Sequence, residues 1–157
     1  MKKIVIYVDT SVIGGCLDPE FQEWSLGPLA DFRAGTFSLI LSDLTEAEIE
    51  DAPDEVKRVY MEFRETSTNV IELTAEAAEL ADAYLQHGIL SENFLNDARH
   101  IAIATVGGAD LVASWNFKHI VHFEKIQRFN AVNIEAGYKP ISIFSPREVT
   151  KYGSQDD

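Results

Sequence analysis

A three-layer α/β/α sandwich around a central parallel sheet of about five strands is the fold class this sequence predicts, from three observations. Five short apolar runs, at 4–8, 36–42, 69–73, 109–115 and 141–144, are rich in β-branched and aromatic residues. Segments with helical spacing separate them, and strands joined through helices pair in parallel. The first run is apolar without alternation, as in a strand covered on both faces.

The 157 residues suit one domain, expected over 1–152 with a polar, frayed tail at 153–157. An apolar fraction of 46% and a charged fraction of 25% are those of a globular protein in water. No apolar stretch approaches the roughly 20 residues that span a bilayer, and the run behind Lys2 and Lys3 stops at Asp9, too short for an export signal. Cys16 is the single cysteine, which excludes an intramolecular disulfide and a cysteine-rich zinc site and makes the cytoplasm the expected setting, with no membrane partner.

The elements follow in order. The strand at 4–8 ends in Asp9, Thr10 and Ser11. Phe21, Trp24, Leu29 and Phe32 have helical spacing, with Gly27 and Pro28 expected to break or offset the helix and Gly35 to close it. After the second strand, Ser42 or Asp43 caps a short helix bearing Glu48, and Pro53 starts the next, whose apolar face is Val56, Val59, Tyr60 and Phe63. The third strand leads to Thr74, a cap for a helix that stops at Gly88. NDARHIAIATVGG, at 96–108, is a helix with Ala98, Ile101, Ala102 and Thr105 on its small apolar side and His100 on its exposed side. The fourth strand precedes Asn116, residues 117–136 are mostly helical, and the fifth strand ends before Pro146.

The formal net charge of −13 is uneven: residues 43–82 hold thirteen acids against Lys57, Arg58 and Arg64. No basic stripe of the kind that neutralises phosphates is present, so the acidity reads as solvated helix faces or as a surface for a basic partner or bound cations.

In an open parallel sheet, ligands bind beyond the carboxyl ends of the strands. Asp9 closes the first strand, Glu48 follows the second, Asp97 opens the helix before the fourth and Asn116 follows the fourth. Singly, Asp9 reads equally as a turn residue, Glu48 as a solvated helix acid and Asp97 as a helix-start acid favoured by the dipole. Together they would repel at one edge, which a raised pKa or a bound cation relieves; oxygen ligands favour Mg²⁺ or Mn²⁺, and such a site suits phosphodiester hydrolysis.

VDTSVIGG, SDLTEAEI, NDARHIAIA, LVASWNFKHI and NAVNIEAGYKPISIFSPREV, in that order and spacing, make the chain resemble the PIN-domain nucleases, which include the VapC-type toxins of bacterial toxin-antitoxin pairs. The resemblance covers almost the whole chain. It implies a metal-dependent endoribonuclease, RNA as substrate, an antitoxin partner, and Asp9, Glu48 and Asp97 as metal ligands, with Ser11 a hydroxyl beside the first. Asn116 stands where many members carry an acid, and His119 occupies a nearby slot of the same kind, so a neutral oxygen or water-positioning role falls to Asn116 and one metal to the site.

Lys118 and His119 are candidates for phosphate contact or for a plain surface role, Arg99 for phosphate or a salt bridge, and Asn96 for a helix cap or a partner of the acids. Asp110 lies at the other sheet edge and reads as structural. A binding module of the same fold, weakened in catalysis by the missing fourth acid, is the alternative function. A fold with an aspartyl nucleophile fits poorly, because Ser11 stands where its second acid belongs. The aromatic helices at 54–87 suit a homodimer contact.

Overall fold

The computed structural model describes residues 2–67 and 69–150; the tail expected at 153–157 lies outside them. Five strands, β1 (Val5–Val8), β2 (Ser38–Ser42), β3 (Asn69–Ile71), β4 (Leu111–Ala113) and β5 (Ser142–Phe144), form one sheet in the order β3-β2-β1-β4-β5. Every pairing is parallel. The helices are α1 (Thr10–Gly15), α2 (Gln22–Arg33), α3 (Asp43–Glu50), α4 (Asp54–Thr66), α5 (Ala75–Gln86), α6 (Leu95–Val106), α7 (Phe123–Glu135) and α8 (Pro146–Val149).

Strand alternation divides the core in two. Ile6, Val8, Leu39, Leu41 and Ala113 face Val12, Ile13, Leu29, Phe32 and Phe63, whereas Tyr7, Ile40, Val112 and Ile143 face Leu80, Tyr84, Ile101 and Phe129. Helices α1, α2 and α4 therefore cover one side of the sheet, and α5, α6 and α7 the other. Helix α3 bridges the two at the carboxyl edge, with Leu44 against one core and Ile49 in the other. The chain leaves β3 at one edge and re-enters beside β1 as β4, so the connections diverge between β1 and β4. That divergence opens a crevice where Asp9 lies.

Several caps act as the sequence implies. Ser42 accepts from the Thr45 amide and Thr74 from the Ala77 amide. Gly35 (φ +74°) and Gly88 (φ +72°) terminate α2 and α5 in a conformation that other residues adopt at a cost.

Three segments differ from expectation. Helix α2 runs through Pro28 without breaking; its fixed φ suits a helix, and Gly27 before it has no Cβ to clash with the ring. Residues 117–136 are mostly helical as expected, but α7 starts only at Phe123; residues 117–120 make a separate turn, in which Asn116 Oδ1 accepts the His119 amide at 2.9 Å. Helix α1, which the sequence reading left out, starts directly at Thr10 and turns Asp9 into its N-cap residue.

Gly15 marks where α1 meets the segment after β4. A Cβ there would stand 2.5 Å from Ser25 Oγ and 2.8 Å from Trp115 Nε1, two atoms that bond each other at 2.7 Å. Alanine offers about 1 kcal/mol of helix propensity over glycine, but forcing the indole from its stack on Phe21 costs more, on the order of 1–3 kcal/mol. Gly15→Ala is expected to lower the urea unfolding midpoint; an equal or higher midpoint would show that the contact relaxes freely.

Candidate metal and nuclease site

β1 delivers Asp9 to the carboxyl edge of the sheet at 4% exposure. Its carboxylate does not cap α1; two hydroxyls hold it, Ser11 Oγ donating to Oδ1 at 2.6 Å and Ser114 Oγ to Oδ2 at 2.7 Å. The register that pairs Val8 with Ala113 sets Ser114 beside Asp9. Ser11 in turn accepts the Trp115 amide at 2.8 Å, so the turn after β4 is tied to the turn after β1. Burial pushes the Asp9 carboxyl up, against the pull of His100 and the two serine bonds, with Asp97 adding to the rise.

Glu48 comes from α3. Its Oε1 accepts from Thr10 Oγ1 at 2.7 Å and from His100 Nε2 at 2.6 Å. Burial acts to raise its pKa, but the bond and charge of His100 and the Thr10 bond prevail, and Glu48 is held low.

Asp97, half-buried in the first turn of α6, is pushed up by burial and by the charge of Glu48, while His119, His100 and a hydrogen bond from Asn116 pull it down. Because Asn116 Oδ1 is taken by the His119 amide, the amide nitrogen is the group that serves Asp97. Asn116 thus acts here as a donor, a role an aspartate could not fill.

His119 stacks on Phe94 with ring centroids 3.8 Å apart, and burial with Lys125 and Lys118 lowers its pKa against Asp97. Lys118 is exposed on the same turn. Asn96 is exposed within the first turn of α6 and caps nothing; the helix begins after Phe94 with no side-chain cap. Asp110 receives the Val5 amide at 2.8 Å at the opposite edge, a structural role.

Sequence reading missed two residues. His100, expected on an exposed face, is 2% exposed: its Nδ1 lies 2.6 Å from Tyr7 OH and its Nε2 bonds Glu48. Helix α6 is buried over most of its girth, so the stripe of Ala98, Ile101 and Ala102 does not mark the only inward side. The signal was Tyr7, a phenol inside an aliphatic strand, which needs a buried polar partner. Ser114 was legible only as the in-register neighbour of Asp9.

The oxygen-only acids suit a hard divalent cation, since the charge of Asp97 adds to the raised pKa of Asp9 and that of Glu48 to the raised pKa of Asp97, a repulsion that bound positive charge removes. Among the described residues, however, no group of three or more His, Cys, Asp or Glu side chains is gathered closely enough to enclose an ion. Asp97 couples electrostatically to Asp9 and Glu48 to Asp97, while Asp9 and Glu48 are each engaged by hydrogen bonds of their own.

The fold recurs in solved bacterial proteins. A chain of VapBC2 from Rickettsia felis, bound to a DNA fragment from its promoter, is similar with TM-score 0.58 and 13% identity over 89% of this chain and 97% of its own. FitAcB from Neisseria gonorrhoeae gives 0.57 and 18% over 90% and 97%. VapC20 of Mycobacterium tuberculosis, a toxin that cleaves the sarcin-ricin loop, gives 0.53 and 16% over 87% and 98%. At such identities the likeness is one of fold, and the fold is PIN-like. No family model and no curated protein matches the sequence.

The raised Asp9 pKa fixes the sign of a pH effect. A carboxyl whose folded pKa lies above its ordinary 3.8 contributes stability fully below 3.8 and loses it as pH rises through the raised value. Relative to acid pH, the buried carboxyl therefore weakens the fold at pH 7, where the unfolded chain carries it ionised. Asp9→Asn is expected to raise the thermal midpoint at pH 7, by about 2–4 °C per kcal/mol relieved, with the gain shrinking toward pH 4. Calorimetry at both pH values checks this, and a lower midpoint at pH 7 would contradict it.

Proposed function

We propose that the chain is a divalent-metal-dependent endoribonuclease of the VapC type, the toxin of a toxin-antitoxin pair. The supporting observation is that Asp9, Glu48 and Asp97, from three elements distant in sequence, are linked electrostatically through Asp97, whose charge raises Asp9 and which the charge of Glu48 raises. The likeness to VapBC2, FitAcB and VapC20 adds the fold in which toxins of this class work.

Asp9, Glu48 and Asp97 would hold Mg²⁺ or Mn²⁺. When bound, the ion supplies charge neutralisation at the phosphodiester and acidifies water. Asn116 orients Asp97 through its amide; Ser11 and Ser114 orient Asp9. Lys118 and His119, on the turn that Asn116 closes, meet the RNA backbone. Among the described residues no helix is long and apolar enough to cross a membrane. A basic, arginine-bearing antitoxin segment suits the acidic cleft, and its charge complements the −13 of the chain.

The absence of a ready three-acid cage among the described residues, with Asn116 in place of an acid, favours the second reading, a PIN-fold binding module with weakened catalysis. Cleavage and titration separate the two. With nanomolar protein, RNA and Mn²⁺, wild type is expected to cut and Asp9→Asn or Asp97→Asn to fall by about 10²-fold or more. RNA left intact by wild type, with no Mn²⁺ binding tighter than millimolar by calorimetry, would establish the binding module instead. Asn116→Asp, adding a fourth acid, is expected to tighten Mn²⁺ binding and to lower the metal-free melting temperature.

A further inference from the structure

Behind the acids runs a buried chain of hydrogen bonds that begins at Ser42, the cap of α3 at the end of β2, and ends on α3. Ser42 Oγ, which caps α3, lies 2.8 Å from Tyr7 OH; Tyr7 OH lies 2.6 Å from His100 Nδ1; His100 Nε2 lies 2.6 Å from Glu48 Oε1. Ser42 and Tyr7 have no exposure and His100 has 2%. The bond to Glu48 fixes one donor. The Glu48 carboxylate accepts, so Nε2 carries a proton. Ser42 Oγ also accepts the Thr45 amide at 3.2 Å and lies 3.4 Å from Thr45 Oγ1, so the bonds between Ser42, Tyr7 and Nδ1 are satisfied whichever way their hydrogens point.

Each acid shares its element with a member of this chain. β1 carries Tyr7 and ends at Asp9, α6 carries Asp97 and His100 three residues apart, and α3 carries Glu48 behind its Ser42 cap. The chain therefore ties together the three elements that set the distances among the acids. It also occupies one oxygen of Glu48 and leaves Oε2, which accepts no hydrogen bond among the described residues, for a ligand.

We propose that His100 is a positioning residue, fixing Glu48 through Oε1 and locking α3 and α6 to β1 so that Glu48 Oε2 is presented beside Asp9 and Asp97. This rests on the metal-site reading above. An imidazole suits the task because two ring nitrogens reach in opposite directions from a rigid plane, so one side chain holds a phenol and a carboxylate at once.

The test titrates Mn²⁺ alone into wild type, His100→Leu, His100→Gln and Tyr7→Phe by calorimetry, alongside RNA cleavage kinetics. His100→Leu is expected to weaken Mn²⁺ binding by about 10-fold or more and to cut kcat similarly at saturating Mn²⁺, with KM for RNA within about 3-fold. His100→Gln, which keeps an amide donor for Glu48, should recover most of the loss, and Tyr7→Phe should fall between. Variants that melt earlier but bind Mn²⁺ and turn over like wild type would overturn the proposal, and if His100→Leu does not fold, the other two carry the same comparison. If wild type itself binds no Mn²⁺, the metal-site reading fails by itself. Imidazole ¹⁵N NMR then decides the positioning role: a protonated Nε2 whose signal moves in Glu48→Gln supports it, and an unmoved signal overturns it.

Discussion

A carboxylate taken out of water at the end of a central strand governs the arrangement around it. Asp9 cannot move away from its burial, because β1 is paired on both edges and α1 begins at the next residue. Its charge has to be met by groups that come to it. Ser11 and Ser114 do so directly; Ser11 then captures the Trp115 amide, and Ser114 accepts the Asn116 amide at 3.0 Å. The turn after β4 takes its shape from these bonds, and with it the positions of Asn116 and His119.

The second and third acids are handled differently, and the contrast is chemical. Glu48 meets a histidine and a threonine and stays readily ionised, whereas Asp97 meets an amide and carries a raised pKa. Neighbouring carboxylates with opposed shifts are the pattern expected where a site must hold negative charge without all of it being equally exposed to protonation. Cys16 is the contrast: burial pushes its thiol up to about 12, away from the reactive thiolate, and the thiol donates to Val12 O.

Much of the fold was legible because it depends on local chemistry. Apolar runs fixed five strands, Ser42 and Thr74 fixed two helix starts, and Gly35 and Gly88 fixed two ends. Helix α1 was missed because six residues with two glycines carry too little periodicity to read, and Pro28 misled because its tolerance depends on the residue before it. The acids were legible through their positions at strand ends. His100 was not, since one amphipathic stripe describes only a helix buried on one side, and α6 is buried on several. Its partners Tyr7 and Glu48 lie 93 and 52 residues away, and no spacing rule links them.

The strand order also bears on how the molecule is made. β1, β2 and β3 all precede residue 72, so the emerging chain can build half the sheet with β1 as its bare edge. The acidic stretch at 43–82 emerges with that half and supplies the mutual repulsion that keeps such partial products apart. Asp9 and Glu48 are then present, but Ser114, His100, Asp97 and Asn116 are still to come. A nascent or truncated chain therefore has two acids and none of the later groups that neutralise or orient them, and the cleft forms only when synthesis has passed β4.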